Sequence, residues 1–254
     1  MGMHHGIVAT DASATRLIES LGRHTGEFVV TGDAARIDQL DLDNDDAGFA
    51  LAIGESDGRA YLHDASLVLS GEPDLLVAVS RDLGGTVAGA GAETTSGSYW
   101  FVAARDGELT RFHWNSYWGQ DAPYDVGEAH KSEALDPLDD LDGVGLRAAL
   151  RELGFDADLL QSIPLTPYRW TFARQPAKGP HGAALKAFLD THGYPHGGKL
   201  PAPQVIPRKG GGFDLGPPES RLPRGESGHT PRPQVRRAEP EGLARRLGRL
   251  FGRG

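Results

Sequence analysis

Gly54-Glu55-Ser56-Asp57-Gly58 is a G-x-S-x-G run, the pattern of a serine hydrolase. In a hydrolase such a run holds a nucleophilic serine on a sharp turn between a strand and a helix. Here Phe49, Leu51 and Ile53 alternate before the run and Arg59 to His63 alternate after it, so Asp57-Gly58 predicts a hairpin turn between two strands and Ser56 a turn residue. The glycine-rich stretch Gly84 to Gly97 invites a nucleotide-loop reading, but it follows a helical pattern, leads into strands and lacks Gly-Lys-Ser/Thr. A small-residue strand packed closely by a neighbour is the expectation. Asp41, Asp43 and Asp45 copy the first half of a calcium loop; the sixth position is Asp46 rather than glycine and the twelfth is Ala52 rather than glutamate. Asp139, Asp140 and Asp142 fail in the same way, and both stretches read as solvated acidic loops, the alternative being weak cation binding by Asp41 to Asp46. The histidines show no metal-protease spacing, and the absence of cysteine removes thiolate sites, disulfides and a cysteine nucleophile. The expectation is therefore no catalytic residue, no metal and no cofactor.

The stretch with the strongest recognition character is FHWNSYWGQDAPYD, Phe112 to Asp125. Strand alternation puts Phe112 and Trp114 on one face and His113 and Asn115 on the other. Rings beside carboxylates suit a protein-recognition surface, which makes Trp114, Tyr117, Trp118, Asp121 and Tyr124 the candidate partner-binding residues. The alternative is that these rings cap the sheet and fill its core. A second candidate surface lies at the C-terminal end, where Leu243, Leu247, Leu250 and Phe251 follow one helical face and Arg245, Arg246 and Arg249 occupy the rest. With Gly242 and Gly248 inside it, this segment reads as a conditional helix that forms on an anionic membrane, on a partner groove or on the chain's own acidic body.

The elements that would position these residues fall in the first two-thirds of the chain. A second hairpin runs from Tyr99 through Arg105-Asp106-Gly107-Glu108 to Ser116, and Thr86 to Glu93 precedes it as a strand, which predicts three consecutive antiparallel strands in a meander. Helical spacing marks Asp11 to Leu21, Pro73 to Leu83 and Gly143 to Leu153. The predicted fold is α+β: an antiparallel meander sheet with two to three packed helices, followed by a disordered Pro/Gly/Arg-rich C-terminal region. Up to Phe172 there are 11 Lys and Arg against 29 Asp and Glu, net −18; beyond it 15 against 6, net +9. The same boundary collects 12 of the 17 prolines with few apolar residues, too few to offset chain entropy. The expected organisation is an acidic globular domain over 1–172, a mostly disordered linker over 173–238 with a short helix at 182–192, and a basic amphipathic segment over 239–254.

The run MGMHHGIVAT, the block DLLVAVSRDLGGTVAGAGAETTSGSYWFVAARDGELTRF and the helix LDGVGLRAALRELGF resemble a family of uncharacterised actinobacterial proteins, over roughly the first two-thirds of the chain. The resemblance implies no catalytic residues. More loosely, small acidic α+β domains of this kind are similar to bacterial immunity proteins, which bind and block a toxin. The first residues lack the basic start and apolar run of a secretory signal, so the expected location is cytoplasmic. The functional expectation is a non-enzymatic protein-interaction domain whose partner is a basic protein. Its rivals are a hydrolase with an unrecognised site, such as one using Ser56, and a peripheral membrane or partner-binding protein working through the basic C-terminal segment. No specific nucleic acid is predicted.

Overall fold

Alternation between large and small apolar residues organises the chain, because the central strands bury side chains on both of their faces. The computed structural model describes residues 4–43, 48–93, 97–116, 123–135, 138, 143–172, 179–192, 204–207 and 213–216. The strands are β1 (His4–Thr10), β2 (Gly26–Val30), β3 (Phe49–Ser56), β4 (Arg59–Asp64), β5 (Thr86–Glu93), β6 (Ser98–Arg105), β7 (Glu108–Ser116), β8 (Tyr124–Gly127) and β9 (Thr166–Phe172). They form one antiparallel sheet in the order β2-β9-β3-β4-β1-β5-β6-β7-β8. The helices are α1 (Ala14–Thr25), α2 (Pro73–Leu83), α3 (Val144–Glu152) and α4 (Pro180–His192).

One face of the sheet presents Val8, Leu51, Leu62, Val87, Val102, Phe112 and Trp170 to Leu17 and Leu21 of α1 and to Leu75, Leu76, Val79 and Leu83 of α2. The other presents the alternate residues, Ala9, Ala52, Tyr61, Ala88, Phe101 and Ala103, to Leu146, Ala149 and Leu150 of α3 and to Phe155 and Leu160 beyond it. The fold is α+β, as the sequence predicts. The meander holds for β5 through β8, while β1 inserts between β4 and β5 and β9 returns between β2 and β3. Helix α2 spans the predicted residues and stops on Gly84 at φ 66°. Helix α1 starts at Ala14 rather than Asp11, because Ser13 Oγ accepts from the Arg16 N–H while the Asp11 carboxylate is taken by the Thr86 N–H, 3.1 Å away.

The first compact unit runs from Met1 to Gly193. It includes α4, whose stripe Leu185 and Phe188 packs against the β-sheet core and Tyr124. Both Asp74 oxygens receive α4 backbone N–H groups, from His181 at 3.2 Å and Gly182 at 2.7 Å, which is N-terminal capping supplied by a different helix. The second unit, Tyr194–Gly254, contains an antiparallel pair, β10 (Gln204–Pro207) and β11 (Phe213–Gly216). Among the described residues no helix is long and apolar enough to cross a membrane.

Candidate functional site

The two faces of β7 divide the candidate recognition region into an aromatic side and an ionic side. Trp114 and Tyr124 are cross-strand partners. Both are half-buried on the α2 side. The Tyr124 ring meets Phe112 at 5.3 Å and Phe188 of α4 at 5.2 Å, both edge-on. Burial, together with the Asp74 charge, pushes the Tyr124 hydroxyl above its ordinary value. Tyr124 is thus a joint between the sheet and α4. Of the other candidate partner-binding residues, Tyr117, Trp118 and Asp121 lie outside the described residues, as do Leu243, Arg245, Arg246, Leu247, Arg249, Leu250 and Phe251 of the C-terminal segment.

The ionic side escapes pattern-reading. Arg111, His113 and Asn115 alternate with the rings, and register places His113 opposite Asp125. Arg111 is 3% exposed; its guanidinium grips Glu133 through Nε at 3.0 Å and Nη2 at 2.7 Å, donates to the Val126 carbonyl at 3.2 Å and pairs with Asp125. Burial works against both charges. The hydrogen bonds prevail, raising Arg111 and, with the His130 N–H donating at 2.8 Å, lowering the Glu133 carboxyl below the usual range. His113 is 5% exposed and stacks on Tyr99 at 6.1 Å. Its Nδ1 stands 3.4 Å from Asp125 Oδ2, within ion-pair range, yet neither ring nitrogen makes a hydrogen bond. Burial lowers its pKa, with Asp125 opposing only in part. Close by, the His130 ring meets Phe101 edge-on at 5.4 Å. Glu152 of α3 accepts from the Ser132 and Lys131 N–H groups, and the Ser132 bond lowers its carboxyl.

The chemistry open to Arg111 is limited by its own saturation. Arg111 spends its donors inside the fold, so it offers no anion a fork to bind. The cluster instead clamps the segment Tyr124–Leu135 onto β7 and α3, and leaves Asp125, with its side chain 47% exposed, on the rim.

The other candidates have structural placements. Ser56 ends β3 opposite Arg59, with Asp57 at φ 51° and Gly58 at φ 73°, a primed hairpin turn followed by strand β4 rather than by a helix. Gly54 is required there because a Cβ would come within 2.7 Å of the Pro164 carbonyl. The glycine-rich stretch contributes β5, where a Cβ on Gly89 would lie 2.3 Å from the Ser70 carbonyl; it is the closely packed strand expected. Asp43 donates its N–H to Asp41 Oδ1 at 3.3 Å, and its carbonyl accepts from Arg169 at 2.9 Å. Asp45 and Asp46, like Asp139, Asp140 and Asp142, lie outside the described residues. Among the described residues no group of three or more His, Asp or Glu side chains is arranged to hold a metal.

One pattern runs through the whole body. Each of its ten arginines is engaged within the fold: Arg16, Arg59, Arg81 and Arg169 on backbone carbonyls, Arg105 on Thr86, and Arg23, Arg36, Arg111, Arg147 and Arg151 on carboxylates. Glu19, Glu27, Asp33, Glu108 and Glu128 are exposed and, among the described residues, in no ion pair. Comparison with known family models, curated proteins and solved structures finds no match to this chain.

Proposed function

We propose that this chain is a non-enzymatic, cytoplasmic interaction domain that binds a cationic protein partner, in the manner of immunity proteins that hold a toxin. The observation carrying this reading is the charge balance of the body, 29 Asp and Glu against 11 Lys and Arg over 1–172, with its ten arginines tied to groups of the fold itself. A body of net charge −18 over 1–172 attracts a basic partner over about a Debye length, ~8 Å at physiological salt, and accelerates its encounter. The absence of cysteine agrees with a reducing compartment.

The test is retention on the immobilised full chain, followed by reconstitution with the purified partner. The expected partner is basic, and its affinity falls at least tenfold between 50 and 300 mM salt, roughly the range over which the Debye length halves. A neutral or acidic partner, or an affinity indifferent to salt, would refute the reading.

A further inference from the structure

Every open sheet has two edges, and in this one they are treated differently. β8 is four residues long, carries Asp125, and ends on Gly127 at φ 85°; short, charged and kinked, it is a poor template for another strand. β2, at the opposite end, reads Gly-Glu-Phe-Val-Val, with no proline, no lysine and no bulge. Val29 and Val30 are 47% and 54% exposed, and they are two of the three large apolar side chains exposed among the described residues. The Thr31 N–H donates to the Pro167 carbonyl at 3.0 Å. By strand alternation the backbone groups of Val29 and Glu27 also face β9, while the N–H and C=O of Phe28 and Val30 point outward. Among the described residues no strand pairs with that side.

The surroundings of this edge are acidic. Glu27 shares a face with Val29, and Asp33 follows on the exposed chain beyond it, whereas Asp38 is paired with Arg36. Arg169, the cross-strand partner of Val29, holds the Asp43 carbonyl, so the exposed carboxylates of Asp41 and Asp43 sit within one arginine's reach of the edge. The opposite face is apolar: Phe28 stacks on Trp170 at 6.0 Å, and Val30 stands beside Tyr168.

We infer that β2 is a docking edge for an extended basic segment of the partner, which adds as a tenth strand. The incoming strand pairs with the outward groups of Phe28 and Val30, lays apolar side chains beside Phe28 and Val30, and turns its basic side chains toward Glu27 and the Asp41–Asp43 loop. This rests on the cationic-partner reading above and specifies where and how that partner is held.

The probe is a fluorescent heptapeptide of alternating valine and lysine, read by anisotropy against the full chain, with a valine/glutamate counterpart. Two changes remove the strand bonds without touching charge: Val30→Pro in the protein, which deletes an outward N–H and spares the bonds to β9, and N-methylation of alternate peptide amides, which needs no change to the protein. The expected result is at least tenfold tighter binding of the lysine peptide than of the glutamate peptide, and at least a tenfold loss with either change. Lysine-peptide binding that survives both changes overturns strand addition and leaves the cationic reading standing. Equal binding of both peptides, each lost on N-methylation, keeps strand addition and overturns the cationic reading. If neither peptide binds, or if the chain forms a dimer that Val30→Pro dissolves, the docking of a basic segment is overturned, in the second case because a second copy occupies the edge.

Discussion

Replacing His113 by phenylalanine tests the ionic side of β7 through its pH dependence. The imidazole is 5% exposed, with both nitrogens unbonded, facing Asp125, Arg111, Glu133 and the Tyr99 ring. Burial holds its pKa below the ordinary 6.5. The sign follows directly. As pH falls below about 6.5 the unfolded chain takes up a proton that the folded chain refuses, so the native state loses up to about 1.4 kcal/mol per pH unit until the folded pKa is reached. Phenylalanine keeps a planar ring against Tyr99. At pH 7.5 it relieves the burial of two nitrogens that make no hydrogen bond, about 1–3 kcal/mol, against a cost of about 1–3 kcal/mol for the larger ring, so the net change lies within about 2 kcal/mol of zero. At pH 5.5 the variant should have gained up to about 1.4 kcal/mol on the wild type relative to pH 7.5, a shift of about 3–6 °C in melting temperature for a unit of this size. Urea denaturation by tryptophan fluorescence at low micromolar protein, from pH 7.5 to 5.0, measures it. Parallel stability curves, or a wild type that gains on the variant as pH falls, would refute the reasoning, the latter by showing that Asp125 stabilises an imidazolium there.

Four other substitutions or truncations bear on the same structure. Ser56→Ala should change stability by less than about 0.5 kcal/mol in thermal melts and leave partner binding intact, since Ser56 ends a hairpin strand. Gly89→Ala should destabilise by about 1–3 kcal/mol, because its methyl would fall 2.3 Å from the Ser70 carbonyl. Glu133→Leu should cost about 2–3 kcal/mol in urea melts by leaving the Arg111 fork with Asp125 and the Val126 carbonyl only; because the Glu133 carboxyl is held low, that contribution is present above about pH 4.5 and lost as pH falls through the folded value, so wild type and variant should converge in acid. A chain ending at Phe172 should still melt cooperatively but about 2 kcal/mol less stably than one ending at Gly193, because it lacks the half-buried Leu185 and Phe188 of α4; circular dichroism decides it.

Local physics made part of this molecule legible. Asp57-Gly58 and Asp106-Gly107 adopt positive φ at both positions, and that requirement is met by few residue pairs, so two hairpins could be read from dipeptides. Pro73 and Gly84 bracket α2 for the same reason: proline's fixed φ suits a first turn and glycine tolerates the left-handed cap. The glycines of β5 signalled a close neighbour, without naming Ser70 as that neighbour. Tertiary structure alone decided the rest. β2 and β9 are short strands with no turn signal joining them, and they pair across 137 residues or more of intervening chain; such pairing depends on which edge remains open after the hairpins form, which no local window encodes. The Arg111 clamp is hidden for a related reason. Its alternation with Phe112 and Trp114 reads as an ordinary two-sided strand, and only the arrival of Glu133 and Asp125 from later segments turns a buried cation from a liability into a satisfied group. Turns, caps and charge balance are local properties of the chain; which distant segments meet, and therefore which charges are cancelled and which edge is left free, follows from packing both faces of one sheet at once.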